Sequence, residues 1–238
     1  MAELEQEVHN NLVLNEVPTH DLSRLLPHMQ IKEVDAKEIL HQAGEPLHYI
    51  YFPTTALMSM LMPTSEGATV ELATVGREGF TDISSVLNRA GAHENGALAK
   101  VVTVLPGTVI RMKSDAFEAA VASNLSVARC IRRYVSLLFT ELALSVTCNR
   151  LHSLEQRCAR WLLTAMDKSG TRTMPVTQEM LADILGVYRQ SVVQVVSDFE
   201  AKGLIQGGRG SIKVESPPRL AAMVCECYFV SKKRAGRS

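Results

Sequence analysis

The chain is short of the features that mark several large classes of protein. No apolar run among its 238 residues reaches the roughly 20 that a membrane-spanning helix needs. The opening stretch MAELEQEVHN is acidic and has no apolar core segment, so no secretory leader is expected. Cysteine is scarce and odd in number: five residues, the first being Cys130. That excludes a disulfide framework and points to a reducing, cytoplasmic compartment. The sequence has no His-x-His run of the kind that metal-dependent jelly-roll enzymes need, no P-loop, no Gly-x-Ser-x-Gly elbow and no locally supported Cys–His pair. Its seven histidines are scattered without metal-ligand spacing, and His41 and His48 straddle a turn. An enzyme is not expected, and neither is a metal or any other cofactor.

What is present is unevenly distributed. The formal charge is zero, yet residues 1–149 carry 11 Lys/Arg against 17 Asp/Glu, and residues 150–238 carry 14 against 8. An acidic body joined to a basic C-terminal part suggests a polyanion-binding module attached to something else.

Three zones follow one another. From Met29 to Met112 short β segments alternate with turn residues: Met29–Val34, Glu38–His41, Tyr49–Phe52, Thr55–Leu61, Thr69–Val75, Lys100–Leu105 and Thr108–Met112. Many short strands at this spacing predict a sandwich or barrel. A helical lead-in over Leu12–Met29 precedes them. From Ser114, a candidate N-cap, to about Lys168 there is neither proline nor glycine, which predicts helix. Within it Ile131, Val135, Leu138, Leu142, Ser145 and Asn149 recur at steps of 4 and 3, an a/d-like seam. Packing on its own domain competes with a two-chain seam. Arg129, Arg132, Arg133 and Glu141 make the helix too polar for complete burial and favour dimerisation.

The third zone carries the functional signal, in TQEMLADILGVYRQSVVQVVSDFEAKGLIQGGRGSIKV from Thr177 to Val214. Thr177 is placed to cap a short helix with apolar Met180, Leu181, Ile184 and Leu185, although Met180 stands where a capping box needs Glu or Gln. Gly186 suits its left-handed end. A second helix buries Val192, Val195, Val196 and Phe199 and offers Arg189, Gln190, Ser191, Val193, Gln194 and Ser197 on the opposite face. Arg and Gln make paired hydrogen bonds to guanine and adenine edges, so the pair reads as a helix-turn-helix whose second helix enters the major groove. After Gly203, the segments Leu204–Gln206 and Ser211–Val214 flank Gly207-Gly208-Arg209-Gly210 as a wing. The candidate DNA contacts are Thr177, Tyr188, Arg189, Gln190, Ser191, Gln194, Arg209 and Lys213, with Lys232-Lys233-Arg234 adding basic charge. Tyr188 either offers its hydroxyl to a phosphate or covers the turn.

With Gly44-Glu45-Pro46 and Tyr51-Phe52 in the β zone and LADILGVYRQSV at the DNA end, the chain resembles the Crp/Fnr superfamily of bacterial transcription regulators. The resemblance implies an α+β architecture: a cyclic-nucleotide-binding-like jelly roll over 1–113, a dimerisation helix region over 114–150 and a winged helix-turn-helix over 151–238. It implies a homodimer on a two-fold-symmetric operator. Double-stranded DNA is the expected partner, with RNA polymerase and a small-molecule effector as further candidates.

Departures from the family pattern narrow this. Gln190 stands where Glu is usual and Gln194 where a second Arg is expected, so the operator should differ from the usual half-site. Cyclic-nucleotide binders follow their Gly-Glu pair with an Arg-Ser/Thr-Ala run. Here the corresponding stretch is Gly76-Arg77-Glu78-Gly79, and no arginine lies between Arg89 and Arg111. A buried phosphate without a cation is costly, which argues against cyclic AMP. The iron–sulfur branch needs an N-terminal cysteine cluster, which is absent. Cys130, Cys148 and Cys158 read as small buried hydrophobes, while Cys225 and Cys227 leave a redox-responsive regulator open. A weak effector pocket would involve Met58, Met60 and Met62, alternating on one strand, with Arg77 and Glu78 as an anion loop. An effector-independent regulator and a winged-helix protein-interaction module are the alternatives.

Overall fold

The computed structural model describes residues 2–87 and 96–234. Arg89, which bounds the arginine-free stretch noted above, lies outside them. Contacts divide the chain into two compact units, residues 1–62 with 74–136, and residues 137–238 with 63–73. No described helix is long and apolar enough to cross a membrane.

The first unit opens with α1 (Ala2–Val8), α2 (Leu12–Asn15) and α3 (Thr19–Leu25), followed by a 3₁₀ turn over Leu26–His28. The expected single lead-in is thus broken, because Pro18 disfavours helical geometry at Val17 and starts α3 anew. Asn11 caps α2: its side-chain oxygen accepts from Val13 N (3.1 Å) and Leu14 N (3.2 Å). The same side chain is wholly buried and donates to the carbonyls of Pro53 and Gly79, both at 2.8 Å.

The strands are β1 (Met29–Val34), β2 (Ile39–His41), β3 (Tyr49–Pro53), β4 (Leu57–Pro63), β5 (Thr69–Val75), β6 (Lys100–Leu105) and β7 (Gly107–Lys113). They form two sheets, in the orders β1-β7-β3 and β2-β6-β4-β5. Strands β1, β5 and β6 lie where the residue pattern places them. Strand β4 begins two residues late because the amides of Thr54, Thr55 and Ala56 all turn toward the carbonyl of Thr108. Strand β2 starts after Glu38, whose side chain is drawn to Lys32 and the amide of Asp35.

A short α4 (Ser84–Leu87) follows the Gly76–Asp82 turn region, and α5 (Ser114–Ser123) leaves β7. Between them an aromatic cluster fills the core. Phe80 lies 5.4 Å from Phe52, 5.3 Å from Phe117 and 4.7 Å from Tyr134, centroid to centroid. The Tyr134 hydroxyl donates to the carbonyl of Phe80 at 3.0 Å. Gly79 is required here by close approach, since a Cβ would fall 2.3 Å from the Tyr134 ring.

The helix predicted from Ser114 to about Lys168 is divided into three: α5, α6 (Leu125–Leu151) and α7 (Leu154–Ser169). Side-chain caps make the breaks without Pro or Gly. Asn124 accepts from Ser126 N and Val127 N, and Ser153 forms a capping box with Gln156. Ser114 is not an N-cap. It is the first residue of α5, and its hydroxyl donates to the carbonyl of Leu47.

The expected seam also needs correction. Ile131 (2% exposed) and Leu138 (5%) are buried within the chain itself, while Val135, Leu142 and Ser145 are half-buried. Between the two exposed ends of the helix, Leu125 and Leu151, Phe139 (72% exposed) and Val146 (71%) are also uncovered, so an apolar stripe runs Val135, Phe139, Leu142, Val146, rotated from the predicted line. Periodicity alone finds the apolar residues of a helix but not which of two apolar stripes its own domain covers.

In the second unit, α7 buries Cys158, Ala159, Trp161, Leu162, Leu163 and Ala165. The chain ends with α10 (Pro217–Ala221) and α11 (Glu226–Arg234). Lys232-Lys233-Arg234 form the last turn of α11, with Lys232 Nζ 3.6 Å from Asp167.

Candidate nucleic-acid interface

Two helices and a small sheet build the candidate surface: α8 (Gln178–Leu185), α9 (Arg189–Ala201), and β8 (Thr173–Met174), β10 (Ser211–Val214) and β9 (Ile205–Gly208), paired in that order. Thr177 caps α8 as the sequence predicts, its hydroxyl accepting from Met180 N at 3.1 Å. Leu181, Ile184 and Leu185 are buried and Met180 half-buried. The far end of α8 is closed twice. Gly186 adopts φ +62° and ψ 44°, and the Arg157 guanidinium donates to the carbonyl of Leu185. A side chain at the left-handed position costs about 1–2 kcal/mol. Gly186→Ala should therefore lower stability by that amount in urea unfolding followed by circular dichroism. An unchanged midpoint would show that the turn relaxes.

Val192, Val195, Val196 and Phe199 hold α9 against its own domain, all four buried. The opposite face is open: Arg189, Gln190, Ser191, Gln194 and Ser197 are exposed and Val193 is half-buried. Tyr188 is 88% exposed, so it does not cover the turn. Gln194 Nε2 donates to Asp198 one turn on, at 3.0 Å, which holds the amide along the helix surface.

The end of α9 is tied to the wing. Glu200 Oε1 accepts from Gly207 N at 2.7 Å, and Arg219 donates to the carbonyl of Lys202 at 2.8 Å, satisfying an orphan C-terminal carbonyl. Gly207 and Gly208 belong to β9, so the wing turn is shorter than the predicted glycine loop and comprises Arg209-Gly210. Arg209 is exposed at its tip. Lys213 is exposed and lies 2.8 Å from Glu215, a surface pairing weak enough to exchange for a phosphate. Between α8, the start of α9 and the wing lies a recess of about 410 Å³, lined by Thr177, Gln178, Glu179, Arg189 and Ser211. Gln178, half-buried at the first position of α8, lines the same recess.

The roll is less open than the predicted pocket. Met58 and Met60 are fully buried and Met62 half-buried, which is ordinary core packing. Arg77 is exposed, and Glu78 turns back to accept from Gly76 N at 3.2 Å, so this loop closes on itself. One polar feature inside the roll is a pairing that the sequence does not show: buried His41, with Nε2 3.5 Å from Oδ2 of buried Asp82.

Residues 156–223 match the family model of the Crp-like helix-turn-helix domain. No curated protein matches the chain. Solved structures share its fold at low identity. FixK2 from Bradyrhizobium japonicum has TM-score 0.67 and 16% identity, over 83% of this chain and 98% of that one. A CRP-family transcriptional regulator from Thermus thermophilus has TM-score 0.66 and 17% identity, over 86% and 96%. The c-di-GMP responsive global regulator CLP from Xanthomonas campestris has TM-score 0.67 and 13% identity, over 84% and 100%. The chain thus has the Crp/Fnr-like architecture of a sheet-rich N-terminal domain, a long helix and a C-terminal helix-turn-helix.

Proposed function

We propose that this chain, a Crp-like helix-turn-helix domain carried on a Crp/Fnr-like fold, is a homodimeric transcription regulator that binds an inverted-repeat operator. The observation that carries the reading is the α9 surface: Arg189, Gln190 and Gln194 stand exposed on one face, beside a wing with Arg209 at its tip, while the other face is buried. In a major groove Arg189 would read guanine through O6 and N7, and Gln190 would read adenine through N6 and N7. Arg209 and Lys213 would lie on phosphates. The stripe Val135, Phe139, Leu142, Val146 supports dimerisation, because monomers rarely leave such aligned apolar residues in water. Arg77 is exposed, so it supplies no cation for a buried phosphate, and the packed methionine strand leaves no room for one. Cyclic AMP is therefore not proposed as effector.

Selection from a random duplex pool tests this. The enriched sequences should form an inverted repeat with half-site centres about 34–36 Å apart, one helical turn, because two dyad-related helices enter successive major grooves. Enrichment of a single asymmetric site, or of none, would sink the proposal.

A further inference from the structure

Four side chains remote in sequence meet at the C-terminal end of α6. Cys148 lies in its last turn and His152 one turn on, while Cys225 and Cys227 bracket the start of α11. Their ligand atoms all lie within 4.8 Å of one another. Cys148 Sγ is 3.6 Å from Cys225 Sγ, and Cys227 Sγ is 3.7 Å from His152 Nδ1. A tetrahedron with zinc–sulfur bonds of about 2.3 Å and zinc–nitrogen bonds of about 2.0–2.1 Å has S–S edges near 3.8 Å and S–N edges near 3.6 Å. The two distances fit those edges.

The surroundings fit as well. All three sulfurs are buried, and His152 is half-buried. His152 turns Nδ1 to the sulfurs and Nε2 to Glu226, 3.3 Å from Oε1, the outer carboxylate that fixes a ligating imidazole. Three thiolates on a divalent cation leave one negative charge. Arg160 acts electrostatically on Cys148 and Cys227, and the N-terminus of α11 also favours negative charge there.

We propose that Cys148, His152, Cys225 and Cys227 form a closed four-coordinate site for a zinc-class divalent cation, which ties the end of α6 to the start of α11. Three cysteines and a histidine with no open position make a structural set, not a catalytic one. All four ligands lie outside residues 156–223, two on either side, so the site is an addition to the matched domain and does not depend on the DNA-binding proposal. The cluster escapes the sequence reading because its two halves stand 77 residues apart.

The full chain, purified with reductant and no chelator, should contain one zinc per chain by elemental analysis. Stripped and reloaded with cobalt(II), it should show the visible bands of tetrahedral cobalt with thiolate charge transfer in the near ultraviolet. Cys130→Ser, away from the cluster, should keep that spectrum, whereas Cys227→Ser and His152→Ala should each lose or shift it. Should one variant fail to fold, the other and the native chain still decide. No tetrahedral cobalt spectrum from the folded, reduced chain, an unaltered spectrum in both ligand variants, or a Cys148–Cys225 disulfide in its place would overturn the proposal.

Discussion

Phe80→Ala should destabilise the protein by about 3–5 kcal/mol, the range for removing a wholly buried aromatic ring. The loss is expected at the high end. Phe80 touches three other rings, and Gly79 beside it is hemmed by Tyr134, so the backbone has little freedom to collapse into the void. Tyr134 stands on α6 and Phe80 on the loop after β5, so the cluster fixes the first half of the long helix to the roll. Tyr134→Phe removes the hydroxyl that donates to the Phe80 carbonyl and should cost about 1 kcal/mol. Chemical denaturation of the two variants checks both figures. A loss under about 1 kcal/mol for Phe80→Ala would mean that the four rings do not pack as described.

Arg189→Ala should weaken operator binding by about 1–3 kcal/mol, roughly 5- to 150-fold, and relax discrimination at one base pair per half-site. Its counterpart is Arg209→Ala, which should weaken binding to all sequences alike and flatten the dependence on salt, since a phosphate contact releases counterions without reading a base. The distinction rests on position: Arg189 begins the helix whose outer face is open, and Arg209 occupies a two-residue turn off that helix. Fluorescence titrations on operator and scrambled duplexes at two salt concentrations separate the two. If both variants lost affinity uniformly, Arg189 would be a backbone contact and the reading helix would lie differently in the groove.

Much of this was legible from residue order, for identifiable reasons. Thr177, Gly186 and the Val192, Val195, Val196, Phe199 spacing are local signals, and local signals survive folding: the cap, the left-handed turn and the buried face all stand where they point. Strands β1, β5 and β6 were equally plain because turn residues bound them. Where the reading failed, the deciding interaction came from elsewhere in the chain. Ser114 was drawn off to Leu47, and Ile131 and Leu138 were claimed by the chain's own core. The helix breaks at Asn124 and Ser153 carry another lesson, since polar caps end helices as well as proline does. His41 with Asp82, and the Cys148 cluster, are pairings across distance that no local pattern announces.

Asn11 has a practical corollary. Its one amide group makes four hydrogen bonds, two into its own helix and two to carbonyls of Pro53 and Gly79 that lie far along the chain. A recombinant version trimmed past this residue would strand both oxygens under the surface, and one of them belongs to the glycine that seats Tyr134. Buried Val8 and Asn11 thus belong to the packing of the roll, and a trimmed version should keep both.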